Sequence, residues 1–160
     1  MRKRLITDVK QGSPPAPADW LDIEQLAEVE ITSEDPAYPI ESALLPGEGS
    51  GWRAAAPGKQ SIRILFTQPQ RLRKIRISFF ETSVQRTQEY LLRWSADGGQ
   101  SFREIVRQQW NFSPQASTSE TEEHQVELAG VKVLELIITP DIGNDGNNDA
   151  VASLAQLRVA

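Results

Sequence analysis

The chain has 160 residues, no cysteine, 39% hydrophobic and 24% charged residues, and a net charge of −5 with an isoelectric point near 5.0. These values suit one compact domain with its own core; they exclude a disulfide framework, a thiolate metal site and a thiol nucleophile, and disfavour indiscriminate nucleic-acid binding. No apolar run approaches the roughly 20 residues of a membrane span, and basic Met1-Arg2-Lys3-Arg4 gives way after Leu5-Ile6 to Thr7, Asp8 and Lys10, so no export signal is read and the cytoplasm is the expected compartment.

Residues 1–18 include Gly12-Ser13-Pro14-Pro15-Ala16-Pro17, which stays extended and packs poorly; they are predicted to be a flexible tail ahead of a single domain over 19–160. Asp19 to Ala27 suits a short capped helix or a strap anchored by Trp20, Leu21, Ile23 and Leu26. Glu28 to Thr32 reads as a first strand, with Val29 and Ile31 on one face. Pro36, Pro39 and the glycines from Gly47 to Gly51 predict loops on either side of Ile40 to Leu45.

The middle of the chain carries the clearest pattern. Ile62, Ile64 and Phe66 alternate with Arg63 and Leu65; Ile75, Ile77 and Phe79 interleave with Lys74, Arg76 and Ser78; Tyr90, Leu92 and Trp94 alternate with Leu91 and Arg93. That is the two-residue period of strands with one face in a core. Ser95 to Ser101 closes a hairpin onto Phe102 to Trp110, since Asp97-Gly98-Gly99 supplies the positive φ values that a tight turn needs. Polar Ser113 to Glu123 is predicted to be a long loop or edge, and Gln125 to Leu128 a short strand. Val131 to Thr139 is apolar on both faces over its second half, as a central strand would be, and stops at Pro140. Asp141 to Asp149 is a loop and Ala152 to Val159 a closing strand. About eight strands and almost no helix make an all-β antiparallel sandwich.

Charge is unevenly spread. From Arg53 to Arg107 there are eleven basic residues against four acidic ones, a net +7, so the rest of the chain carries −12. Strand arginines that meet acidic neighbours from the two ends are the expected arrangement.

Catalytic constellations are weak. His124, the one histidine, stands beside Glu122 and Glu123 and near Ser117 and Ser119, but without a glycine-framed nucleophile elbow it reads as a solvated surface residue. Glu120, Glu122 and Glu123 read as a solvated charge run. The Asp141 to Asp149 loop offers hard oxygen ligands at Asp141, Asp145 and Asp149. Gly146 stands at the sixth position of a calcium loop, but Gly143 at the third and Ala152 at the twelfth exclude an EF-hand. Tyr38 or Phe80 could stack a base, and Val84 alone is too little for membrane insertion.

Gly51-Trp52-Arg53-Ala54-Ala55, Ile62 to Phe66 with Pro69, Leu72 to Ile77, Tyr90 with Ser95 to Phe102, the alternation Leu134 to Ile138 and the final Ala152 to Leu157 together resemble the galactose-binding-like superfamily: discoidin (coagulation factor type C) domains and carbohydrate-binding modules. The resemblance spans about residues 28 to 160 and implies a jelly-roll β-sandwich that binds ligands through loops at one end. Projected onto this chain, it implies Glu34, Asp35, Tyr38, Arg53, Lys59, Glu81, Arg86, Trp110 and Asn111 as ligand-binding residues, with Tyr38 or Trp110 as an aromatic platform and Arg53, Arg86 or Asn111 as readers of hydroxyl geometry. It also implies a structural calcium, for which Asp141, Asp145 and Asp149 are the candidates. The cysteine pair that ties the ends of many discoidin domains is missing, which argues against an extracellular adhesion role. Thr32 to Asp35, Ser42 to Leu45 and Trp52 to Ala55 with Gly58 are further similar to the N-terminal domain of a DNA single-strand-break repair scaffold of the same fold. The expectation is therefore a non-catalytic module for a saccharide or other small polar ligand. The alternative is an intracellular module that meets a protein or nucleic acid through a basic sheet face.

Overall fold

The computed structural model describes residues 20–47, 49–142 and 149–160, and the predicted tail over 1–18 lies outside them. The described elements are α1 (Ile23–Leu26), β1 (Ala27–Ile31), α2 (Glu41–Leu44), β2 (Trp52–Pro57), β3 (Gln60–Phe80), β4 (Arg86–Ser95), β5 (Arg103–Phe112), β6 (Ser119–Thr139), β7 (Val151–Leu154) and β8 (Gln156–Val159). All strand pairs are antiparallel: the main sheet runs β1-β3-β6-β4-β5, β8 adds to β3, and β2 pairs with β7.

Two 21-residue strands, β3 and β6, build both layers of the sandwich. They pair from Gln60 with Ile138 to Phe80 with Ser119, and the register slips between Leu65 and Lys74. Thr67-Gln68-Pro69 is exposed there; proline cannot donate to a ladder, and bulges bend and twist the strand that holds them. Before the bend β3 pairs with β1; beyond it β3 pairs with β8. The layers face each other where Tyr90 of β4 meets Phe79 of β3, ring centroids 5.2 Å apart.

Three sequence expectations change. The runs Ile62 to Phe66 and Leu72 to Phe79 are halves of one bent strand, as are Gln125 to Leu128 and Val131 to Thr139. The stretch Ser113 to Glu123 is a loop only as far as Thr118, because β6 begins at Ser119. Its inward positions there carry Glu120, Glu122 and His124, so the strand period is present but has no apolar face to announce it. The closing strand divides at Ala155, whose N–H bonds Ser78 O at 2.9 Å: β7 pairs with β2, and β8 with β3.

Trp52, Tyr90, Phe79, Phe112, Ile62, Ile64 and Leu72 are the largest groups of a continuous buried core, and Trp52 donates its indole N–H to Ser33 O at 3.1 Å. Trp94, expected in the core, is only half-buried at its margin. Gly51 allows β2 to approach β7, since its φ is +83° and a Cβ there would lie 2.5 Å from Leu154 O. Arg158 donates to Ala43 O at 2.9 Å and Leu45 O at 2.7 Å, satisfying carbonyls at the end of α2.

The outer faces carry the expected charge pairing. Glu135 on β6 is fully buried between its cross-strand neighbours Arg63, at 2.6 Å, and Arg93. Arg71 meets Glu127 at 2.9 Å, Lys74 meets Glu123 at 3.4 Å and Arg107 meets Glu89 at 2.9 Å.

Candidate functional site

The turn 81–85 between β3 and β4, the segment 113–118 after β5, and the described stretches Pro140 to Ile142 and Asp149 to Val151 come together at one end of the sandwich, beside β2. Arg86 organises this end. It opens the alternation Arg86, Gln88, Tyr90 and Leu92 that points into the sandwich, so a guanidinium is carried inside with its side chain 1% exposed. There Nε donates to Glu81 Oε1 at 2.8 Å, Nη1 donates to Gln88 Oε1 at 3.1 Å and Pro140 O at 2.9 Å, and the group lies 5.2 Å from the Phe112 ring centroid. Among the described residues Nη2 has no hydrogen-bond partner. Burial alone would raise the Glu81 carboxyl, but the bonds from Arg86 and Ser83 outweigh it and hold Glu81 below the usual carboxylate range.

Arg53 stands on the exposed face of β2, its guanidinium 5.0 Å from the centroid of the Tyr38 ring. Its backbone fixes the preceding turn, since Asp35 N–H bonds Arg53 O at 2.8 Å and Arg53 N–H bonds Tyr38 O at 3.2 Å.

Two cavities open at this end, with Arg86 in the wall of both. The smaller, about 220 Å³, is lined by Arg53, Glu81, Ser83, Val84, Arg86 and Asp149, together with Ala150 and Val151. The larger, about 500 Å³, is lined by Gln85, Arg86, Thr87, Asn111, Phe112, Ser113 and Asp141.

The structure thus brings together Arg53, Glu81 and Arg86, and places Asn111 next door, where its Oδ1 accepts from the Thr87 hydroxyl. Other expected residues have different duties. Glu34 Oε1 accepts the Ile40 N–H at 2.8 Å and Asp35 Oδ1 the Ala37 N–H at 3.0 Å, so both shape the turn. Tyr38 and Trp110 line neither cavity: the guanidinium of Arg53 covers the Tyr38 ring, and Trp110 is tied through its indole N–H to Ser117 Oγ at 3.2 Å. Lys59 is exposed and lines neither. Of the calcium candidates, Asp141 accepts the Thr87 N–H at 3.3 Å and lines the larger cavity, Asp149 lines the smaller, and Asp145 lies outside the described residues. Among the described residues no group of three or more acidic or histidine side chains is placed to hold a metal ion.

The reading of His124, Glu120 and Glu122 as solvated is overturned, whereas Glu123 is exposed on the outer face as expected. Tyr90 donates its hydroxyl to Glu122 Oε1 at 2.6 Å, His124 Nε2 lies 2.9 Å from the same hydroxyl, and Glu120 is 5% exposed with neither carboxyl oxygen bonded. Burial, then the neighbouring Glu122 and its charge, push Glu120 up to about 8. The strand period, continued back through Glu120, would have found this cluster.

Comparison with solved structures then decides the fold. The family 32 carbohydrate-binding module of Clostridium perfringens NanJ, solved with galactose, matches at a TM-score of 0.62 and 16% identity over 88% of this chain and 96% of that one. A second Clostridium perfringens family 32 module, solved with GalNAc-β-1,3-galactose, matches at 0.61 and 20% over 88% and 98%. The fold is the galactose-binding-like jelly roll. A third module of this jelly roll, from AlyQ and solved with 4,5-unsaturated mannuronic acid, matches at 0.60 and 12% over 84% and 95%. No protein-family model matches the chain, and no curated protein does.

Proposed function

We propose that this chain is a non-catalytic saccharide-binding module that takes its ligand at the loop end, in the cavity walled by Arg53, Glu81 and Arg86. One observation carries the reading: at the end of the jelly roll where loops gather, an exposed guanidinium and a buried one held by a carboxylate converge on a cavity of about 220 Å³. Convergent polar groups in a concave site are what orient a polar ligand. The neighbours named above hold galactose, a galactosyl disaccharide and an unsaturated uronate, which supports a sugar as the ligand class.

The alternative of a basic sheet face finds less support. Arg63, Arg71, Arg73, Lys74, Arg93 and Arg107 all have carboxylate partners, which leaves a weak field for an anionic polymer. For catalysis, His124 and the Glu120/Glu122 pair sit between the layers and line neither cavity.

A glycan array with wild type and Arg53→Ala, in calcium and in chelator, tests the reading. Saturable binding that Arg53→Ala abolishes supports it, and loss of binding on chelation supports calcium in the Asp141 to Asp149 loop. Silence on a broad array in both conditions overturns it.

A further inference from the structure

Among the described residues, the free bonding capacity of the smaller cavity lies mainly with donors. Glu81 is heavily engaged: Oε1 takes Arg86 Nε at 2.8 Å, and Oε2 takes the Ser83 N–H and hydroxyl, both at 3.1 Å, and the Val84 N–H at 3.3 Å. Ser83 has therefore given away its hydroxyl proton, and Ala150 O takes the Gly58 N–H at 3.1 Å. Asp149 has a partner of its own. The open donors are those of exposed Arg53. Arg53 makes no side-chain hydrogen bond or ion pair among the described residues, only its contact with the Tyr38 ring, and Arg86 Nη2 is buried without an acceptor. Nη2 is closed off from the cavity, so Arg86 offers a ligand its positive charge from behind the wall and not a hydrogen bond.

The cavity also lacks an aromatic platform. Neither Tyr38 nor Trp110 lines it, and the sequence over 143–148 has no aromatic residue. Its apolar wall is Val84 and Val151. A neutral hexose needs acceptors for its hydroxyl protons and gains much from a ring against its C–H face. A carboxylate brings lone pairs and no proton, and its bonds to a guanidinium are charge-assisted, roughly twice as strong as neutral ones.

We propose that the saccharide read here is acidic, a uronate whose carboxylate is held by Arg53 above the buried cation of Arg86. The assignment rests on the loop-end saccharide reading above. The cavity is smaller than the roughly 300 Å³ at which drug-sized sites begin, so it takes a single sugar residue, a chain end.

Isothermal titration calorimetry with methyl uronides and the matching methyl hexosides of galacto, gluco and manno configuration tests this. The expected result is at least ~tenfold tighter binding of one uronide than of its neutral counterpart, weakened when salt rises from about 50 to about 500 mM, as screening requires. Arg53→Gln erases the difference, and Arg53→Lys keeps part of it; Arg53 is exposed, so both variants fold. Equal or better binding of the hexoside, or a preference for acid that survives Arg53→Gln, overturns the acidic assignment and leaves the saccharide reading standing. No binding to any of these probes or to a broad glycan array overturns that reading as well.

Discussion

Tyr90 of β4 donates its hydroxyl across the sandwich to Glu122 of β6 at 2.6 Å, with His124 Nε2 2.9 Å from the same oxygen. A polar bond between facing layers holds them in one relative position, which apolar contact alone does not specify. Burial first, then the bond to Glu122 and the charges of Glu122 and Glu120, push the phenol above its ordinary range, so it stays a donor. Tyr90→Phe keeps the ring against Phe79 and removes only the hydroxyl. It should destabilise the protein by about 1–3 kcal/mol, the cost of leaving buried polar groups unpaired; an unchanged urea midpoint would contradict the role.

Stability should also respond to pH through Glu120. Its carboxyl is raised from 4.5 to about 8 in the folded chain, so the folded state binds the proton more tightly than the unfolded one. Its contribution is fully present below pH 4.5 and is lost as pH rises toward about 8. The ion-paired carboxylates act in the opposite direction at low pH, so the test is a difference: the melting temperature of wild type minus that of Glu120→Gln, followed from about pH 5 to 9, should fall with rising pH. A difference that stays flat shows that Glu120 does not titrate in this window.

Arg53 and Arg86 should separate binding from folding. The resemblance implies both as ligand-binding residues, but Arg86 is buried and Arg53 is exposed. Arg86→Ala strands Glu81 and should cost about 3–5 kcal/mol. Arg53→Ala should stay within about 0.5 kcal/mol of wild type, as exposed sites do, and lose the saccharide. Chemical denaturation of both variants decides, and equal stability would mean that Arg86 is not the internal cation described.

Trp52 is 1% exposed and reaches Ser33 O with its indole. Trp52→Ala should cost about 3–5 kcal/mol through the cavity it leaves. A melting temperature near that of wild type would place the ring outside the core.

Much of the fold is legible in the sequence because Ile62 to Phe66, Ile75 to Phe79 and Tyr90 to Leu92 bury apolar side chains at the strand period. Where inward positions are polar, the same period passes unnoticed. Glu120, Glu122 and His124 lie on an inner face, and so do Arg86 and Gln88, yet residue type alone marks them as surface. The resemblance implied Arg53, Glu81 and Arg86 as residues of one ligand-binding end. It could not tell that Arg86 is inside and Arg53 outside, since that depends on where β4 begins. Tyr38 was expected to offer its ring to a ligand and instead lies against Arg53, a contact made by a turn docking on β2.

Leu21 N–H bonds Val159 O at 2.8 Å, and Lys74 exchanges backbone bonds with Ala160, both at 2.9 Å. The first and last described stretches of chain are thus neighbours, fastened by backbone hydrogen bonds. Strand order along the chain is then one choice among several for the same sandwich. A short linker from Ala160 back to Trp20, with new ends cut at exposed Pro114 to Ala116, would produce a circular permutant whose sheets and loop-end cavity keep their places.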